Sequence, residues 1–182
     1  MTRSHSPGTL QEGPVNTLAA ADHPATPQQL PALFRAAMRR LAASVSIVVA
    51  KGDTGPVGMA ATSITSLTMD PPAVLVCVNR SASLHAVLEP TAPLSVNLLS
   101  RDQQAVATAF SGAVPREERF KAGTWRESHN GLPVLDGAQA NLLCVIDAML
   151  AYGTHSIVIA RVLDAQVSDA VATLIYQDGV YL

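Results

Sequence analysis

The stretch from Gly58 to Pro72 reads GMAATSITSLTMDPP. It sets four hydroxyl side chains (Thr62, Ser63, Thr65 and Ser66) among small residues and ends at a double proline. A strand built for burial alone is written in Val and Ile, as Val45 to Val49 is. Hydroxyls beside small residues leave room against the backbone and offer donors and acceptors to a flat, polar-edged ligand. A half-exposed edge strand with Thr and Ser facing water fits the same letters. A second stretch, Asn79-Arg80-Ser81-Ala82-Ser83, follows an apolar run and precedes a helical one. Amides at a helix start, two serine hydroxyls and a guanidinium suit a phosphate, and a plain N-cap by Ser81 or Ser83 fits equally. Asn97 interrupts an apolar strand, so its amide needs partners in the backbone or at a ligand edge. Phe120, after Glu118-Arg119, reads first as a packing residue. His155, in Gly153-Thr154-His155 between two strand segments, is either structural or lines the mouth of a site.

Several chemistries find no support. No GxGxxG follows the first strand, and neither GxxxxGK[ST] nor GxSxG occurs. His85, His129 and His155 lack paired metal-ligand spacing, so no metal site is expected. The carboxylates are scattered, with no pair that suggests glycoside chemistry. Net charge is −2 and no basic cluster exceeds Arg39-Arg40, which argues against nucleic acid. No apolar run approaches the roughly 20 residues that span a bilayer, and the start lacks a secretory pattern. A cytoplasmic protein is expected, with no membrane partner. Cys77 and Cys144 sit inside apolar runs and read as buried free thiols.

Behind these residues the chain reads as one domain. Residues 1–30, with Pro7, Pro14, Pro24, Pro27, His5 and His23, lack an apolar period and read as a flexible tail. The folded part, 31–182, opens with a helix over Pro31 to Ala43 whose Leu33, Phe34, Ala37, Met38 and Leu41 share a face. Strands follow at Val45 to Lys51, along GMAATSITS, and at Ala73 to Asn79. Then come a short helix (Ser83 to Leu88), a strand (Leu94 to Leu99), a helix (Asp102 to Phe110) and a helical turn (Arg116 to Phe120). The chain closes with strands at Ala140 to Tyr152 and His155 to Val167, and a final pair around Leu174 to Tyr176 and Val180 to Tyr181. Mainly β structure with inserted helices predicts an antiparallel sheet rolled into a barrel to hide its edges.

The order and spacing of GMAATSITSLTMDPP, NRSAS, SVNLL, ERF and GTH resemble the flavin reductase family of the split β-barrel, FMN-binding type. These are the reductase components of two-component flavin monooxygenases. The likeness covers about 33–182, from FRAAMRRLAASVSIVVA through RDQQAVATAF and GLPVL to IYQDGVYL. It is closest to reductases serving hydroxyphenylacetate-type and pyrimidine-ring-opening monooxygenases. Relatives with GDH are common, so Thr154 is a variant that keeps the histidine. The resemblance implies that Met59, Ala60 and Ala61 give backbone contacts to FMN or FAD, and that Thr62 and Ser63 hydrogen-bond it. It assigns the flavin phosphate to Asn79, Arg80, Ser81 and Ser83, and places Asn97 and Phe120 near the ring. His155, helped by Tyr181, would face the nicotinamide of NADH or NADPH, which gives a hydride to the flavin. It further implies a homodimer and an oxygenase partner that receives reduced flavin. A split-barrel flavoprotein oxidase and a non-enzymatic flavin-binding module are the alternatives.

Overall fold

A computed structural model describes residues 24–182, in a chain that divides into two compact units, 1–36 and 37–182. Most of the tail expected over 1–30, including His5 and His23, lies outside the described residues. Helix α1 spans Leu30–Met38. It is shorter than the expected 31–43, since beyond Met38 the backbone tightens into bonds from Arg40 N to Ala37 O and Leu41 N to Met38 O. None of its residues is buried.

Twelve strands follow the helix: β1 (Ala43–Ser44), β2 (Ser46–Gly52), β3 (Gly55–Ala61), β4 (Ile64–Met69), β5 (Pro72–Asn79), β6 (Pro93–Leu98), β7 (Trp125–Glu127), β8 (Pro133–Leu135), β9 (Ala140–Tyr152), β10 (His155–Val167), β11 (Ile175–Gln177) and β12 (Val180–Tyr181). Seven of them form one antiparallel sheet in the order β3-β2-β6-β9-β10-β5-β4. The stretch GMAATSITS is therefore two strands, not one. It breaks at Thr62-Ser63, because Ser63 turns to β5: its Oγ donates to Cys77 O at 3.0 Å, and Cys77 N donates to Ser63 O at 3.1 Å.

This break determines the shape. β3 and β4 are the two outer strands, yet only two residues separate them. Three Cα steps reach at most about 11 Å, whereas six strand spacings on a flat sheet measure about 29 Å. The sheet has to roll until its edges nearly meet. No ladder joins β3 to β4, so the barrel keeps a seam and is a split one.

The rolled sheet explains the burial pattern. β2 buries both faces: Val48 and Ala50 enter a cluster with Val76, Val96, Cys144, Ile146 and Val158. Ile47 and Val49 enter another with Leu99, Val106, Phe110, Leu135 and Leu174. This is why Ile47 to Ala50 reads as an unbroken apolar run. The second cluster is covered by helix α2 (Gln104–Thr108) and its flanking turns. The expected helix 102–110 is thus divided into a 3-10 turn at Arg101–Gln103, α2, and a wider turn at Ala109–Ala113. The β7–β8 hairpin was not foreseen, since three-residue strands are too short to show alternation.

Phe110, Phe120 and Trp125 pack together with ring centroids 5.0 to 5.4 Å apart. They close on Gly58, where a Cβ would stand 2.6 Å from Phe110 Cε1. Phe110 is 2% exposed and wedged by its two aromatic neighbours, so it cannot step aside. Gly58→Ala is expected to destabilise the fold by about 1–3 kcal/mol, read as a lower urea midpoint at unchanged m-value.

Candidate functional site

At one end of the barrel the seam and two loops come together. Register puts His155, the first residue of β10, opposite Asn79, the last of β5. Arg80 N donates to Thr154 O at 2.9 Å, which joins the NRSAS loop to the GTH turn. His85 Nε2 lies 2.9 Å from Ser156 Oγ and ties the same two segments one step further in. Ser63 pairs with Cys77, two residues before Asn79, so the seam residues Thr62 and Ser63 lie at this end as well. Three motifs far apart in the chain thus share one rim.

Within NRSAS the structure alters the expected chemistry. Asn79 organises the loop: its Oδ1 accepts from Ser81 N at 2.9 Å and from Ser81 Oγ at 2.8 Å, and its carbonyl accepts from Ala82 N. The helix expected over 83–88 is a three-residue 3-10 turn at His85–Val87 without a side-chain cap, so neither serine is its N-cap. The amides of Ser81 and Ala82 are therefore taken, and an anion here would be met by side chains. Arg80 is exposed and forms no ion pair among the described residues. The hydroxyls of Thr62 and Ser83 likewise bond nothing among the described residues, while those of Ser63 and Ser81 are engaged.

On the other flank of Thr62 a cleft of about 380 Å³ is lined by Ala60, Ala61, Thr62, Thr108, Ser111, Tyr176 and Tyr181. Its volume falls in the roughly 300–1,000 Å³ typical of ligand sites. Small residues form one wall, and two tyrosine rings with centroids 5.2 Å apart form the other. Burial raises the Tyr181 hydroxyl above its ordinary pKa, Tyr176 adds to the rise, and Thr108 offsets part of it. Met59 is half-buried against the inner core. His155 is exposed, with its Nδ1 2.9 Å from Thr154 Oγ1. It does not line the cleft that Tyr181 lines.

Two assigned residues are engaged by the chain's own contacts. Asn97 is fully buried and its amide is saturated within the chain. Nδ2 donates to Ile47 O at 3.1 Å and Ser95 Oγ at 3.4 Å. Oδ1 accepts from Leu135 N at 2.9 Å and Asn141 Nδ2 at 2.8 Å. No lobe is left for a ligand, so Asn97 is a structural residue. Phe120 belongs to the aromatic cluster on Gly58, in keeping with its packing reading. The neighbouring Arg119 donates to Gly58 O at 3.1 Å, while its Nε is buried without a partner. Thr108, Ser111 and Tyr176 were missed, and of these Tyr176 alone left a signal, as the first half of IYQDGVY.

The remaining titratable groups add no second centre. Burial pushes the Cys144 thiol up to about 12, so it stays protonated and inert. Cys77 is half-buried rather than buried. Among the described residues no three His, Cys, Asp or Glu side chains gather as a metal site. No described helix is long and apolar enough to cross a membrane.

Residues 38–182 match the flavin reductase like domain. The chain belongs to that family. It is 41% identical over 150 residues to the reductase component of an FADH(2)-dependent resorcinol hydroxylase from a Rhizobium strain, covering 81% of this chain and 84% of that one. It is 38% identical over 148 residues to the FMN reductase (NADH) RutF of Cronobacter sakazakii, covering 81% and 89%. Among solved structures, a Streptomyces globisporus NADH:FAD oxidoreductase in complex with NAD and FAD fragments superposes with a TM-score of 0.79 at 27% identity, covering 88% and 95%. The residues present fit a flavin. The small-walled cleft at Ala60–Thr62 admits a flat ring, and Arg80 and Ser83 keep a guanidinium and a hydroxyl without partners at the rim.

Removing the saturated amide separates structure from binding. Asn97→Ala strands the amide of Leu135 and that of Asn141, and is expected to cost roughly 2–4 kcal/mol of stability. Flavin affinity of the folded fraction should stay at the wild-type value in a fluorescence titration.

Proposed function

We propose that the chain is an NAD(P)H:flavin oxidoreductase that reduces FMN or FAD and releases the reduced flavin to a separate oxygenase component. The observation that carries this reading is the shared rim of Thr62-Ser63, Arg80–Ser83 and His155, in a chain whose flavin reductase like domain spans 38–182. The curated relatives it matches are themselves reductases or reductase components, which disfavours the oxidase and sensor readings.

Bound flavin supplies the ring that accepts the hydride, and the protein's part is placement. Ala60 and Ala61 keep the wall flat, while Thr62 offers its hydroxyl to the polar ring edge and Ser63, whose hydroxyl donates to Cys77 O, can only accept there. Arg80 and Ser83 neutralise and hold the phosphate, and Ser81 with Asn79 keeps their loop in shape. His155, steadied by Thr154, borders the face where the nicotinamide arrives. Bringing two rings into contact and excluding water accounts for catalysis without a general acid–base pair.

The active form in this reading is a homodimer. One sheet face carries the cross-strand rows Leu150–Ile157–Cys77 and Ile159–Leu75, half-exposed or exposed and apolar. Leu150 is 63% exposed. A contiguous apolar face of this kind suits a two-fold partner. The two free cysteines suit the reducing cytoplasm, where NAD(P)H is drawn.

The deciding assay is oxidation of NADH and of NADPH by purified protein with and without FMN or FAD. Flavin-dependent turnover with at least one nucleotide is expected, and its absence with both overturns the reading. Ser83→Ala should weaken FMN by about ten- to a hundredfold, one hydrogen bond to a charged group, and leave riboflavin nearly unchanged. Equal loss for both would remove Ser83 from the phosphate seat. His155→Ala should raise KM for the nicotinamide nucleotide more than KM for flavin, and the reverse order would make the residue structural.

A further inference from the structure

The hairpin β11–β12 turns through Asp178-Gly179, both at positive φ, +51° and +91°. Two such residues make the tight two-residue turn that Asp-Gly favours. Arg39, just past α1, grips this turn. Its Nε donates to Asp178 Oδ1 at 2.9 Å and its Nη2 to Asp178 O. In return Asp178 N donates to Arg39 O at 3.0 Å, and Gln177 Nε2 donates to Arg40 O at 2.9 Å. Four bonds therefore join residues 39–40 to 177–178, where a lone surface ion pair would hold little. Gly179 lies under the guanidinium, so close that a Cβ would stand 2.7 Å from Nη2. The hydrogen bond from Arg39, and then its charge, hold the Asp178 carboxyl below its ordinary range.

The gripped turn carries Tyr176 on one arm and Tyr181 on the other, paired across the hairpin. Together they are the wall that faces Ala60, Ala61 and Thr62 across the 380 Å³ cleft. At its base this hairpin is tethered by a two-residue pairing with β1, by the bonds from Val45 N to Leu174 O and from Leu174 N to Leu99 O, and by the Ser100–Thr173 bridge, none of which holds the turn itself. The width of the cleft thus depends on where the turn is held.

We propose that Arg39 is a positioning residue, which sets the Tyr176–Tyr181 wall at the distance where the cleft grips a planar cofactor ring. The ring is that of the flavin or of the nicotinamide; the inference rests on the reductase reading for that identity. Tyrosine faces suit either ring through stacking. Arg39 acts through Tyr181 and touches no reacting atom.

The test uses the full chain with Arg39→Ala, Arg39→Lys, Asp178→Asn, Tyr181→Ala and the double variant Arg39→Ala/Tyr181→Ala. FMN and NAD⁺ are titrated separately, and amide hydrogen exchange is followed over 175–182 and 140–167. Asp178→Asn keeps a residue that tolerates the left-handed turn while removing the charge. Arg39→Ala and Asp178→Asn should weaken one ligand by about tenfold, as loss of charged hydrogen bonds predicts. The ligand affected identifies the ring. Lysine should not restore affinity, since a point charge cannot replace the fork. Exchange should quicken over 175–182 and stay unchanged over 140–167. In the Tyr181→Ala background, Arg39→Ala should add nothing to the binding loss. Full additivity, or unchanged affinity for both ligands in Arg39→Ala, overturns the proposal. If wild type binds neither FMN nor NAD⁺, the reductase reading and the ring-gripping wall fall together. The exchange arm judges the clamp alone, and unchanged exchange over 175–182 removes it.

Discussion

Thr62 and Ser63 connect the outermost strands of a seven-stranded sheet, and two residues cannot bridge a flat sheet of that width. The roll they impose puts one face of the sheet inside, where Val48, Val76, Val96, Ile146 and Val158 pack with Leu84 and Leu88 from the turn after β5. It leaves β2 with a second buried face that α2 and the aromatic cluster must cover. It also leaves the one place where strand edges approach without pairing. Backbone there is not consumed by a ladder, and small side chains keep it accessible. A binding site at the seam follows from the same constraint that shapes the barrel.

A rolled sheet also needs its strands held in register, and Asn97 does this at the centre of the second face. Its amide joins β2 through Ile47 O, β8 through Leu135 N and β9 through Asn141. Asn141 then bonds Leu135 O, which closes the network. Because both sides of the Asn97 amide are matched, its buried polar cost is met internally and the arrangement favours one register over its neighbours. The network decides where β8 sits and hence where the aromatic cluster leans on Gly58.

The sequence made some of this legible. The long strands 140–152 and 155–167 appear at their expected bounds, because sustained apolar runs on either side of the Gly153-Thr154 turn leave little ambiguity. The hydroxyl-rich motif was recognisable by type. Its break was not, because Ser63 is turned aside by Cys77, a residue brought close only by the fold. Asn97 offered two readings for the same reason: whether a buried amide meets backbone or ligand depends on partners 38 and 44 residues away. The NRSAS turn failed at finer scale, since Asn79 captures amides that a helix start would have left open. Arg39 was invisible, with Asp178 lying 139 residues downstream. Local pattern conveys which residues are polar, and topology decides what they are polar for.

An open, seam-borne site also suits what a reductase of this kind does with its product. Hydride transfer between two rings asks for contact and orientation more than for proton relays. The residues assembled here are accordingly hydroxyls, a guanidinium, small walls and an exposed histidine, rather than a buried charged dyad. Holding a flavin too tightly would delay its handover, since release follows from a fast dissociation rate. A phosphate met by exposed side chains, without amides already claimed by Asn79, is held more weakly than one seated on a full helix start. The capture of those amides, which on its own looks like a defect in the phosphate seat, is consistent with a flavin that must leave.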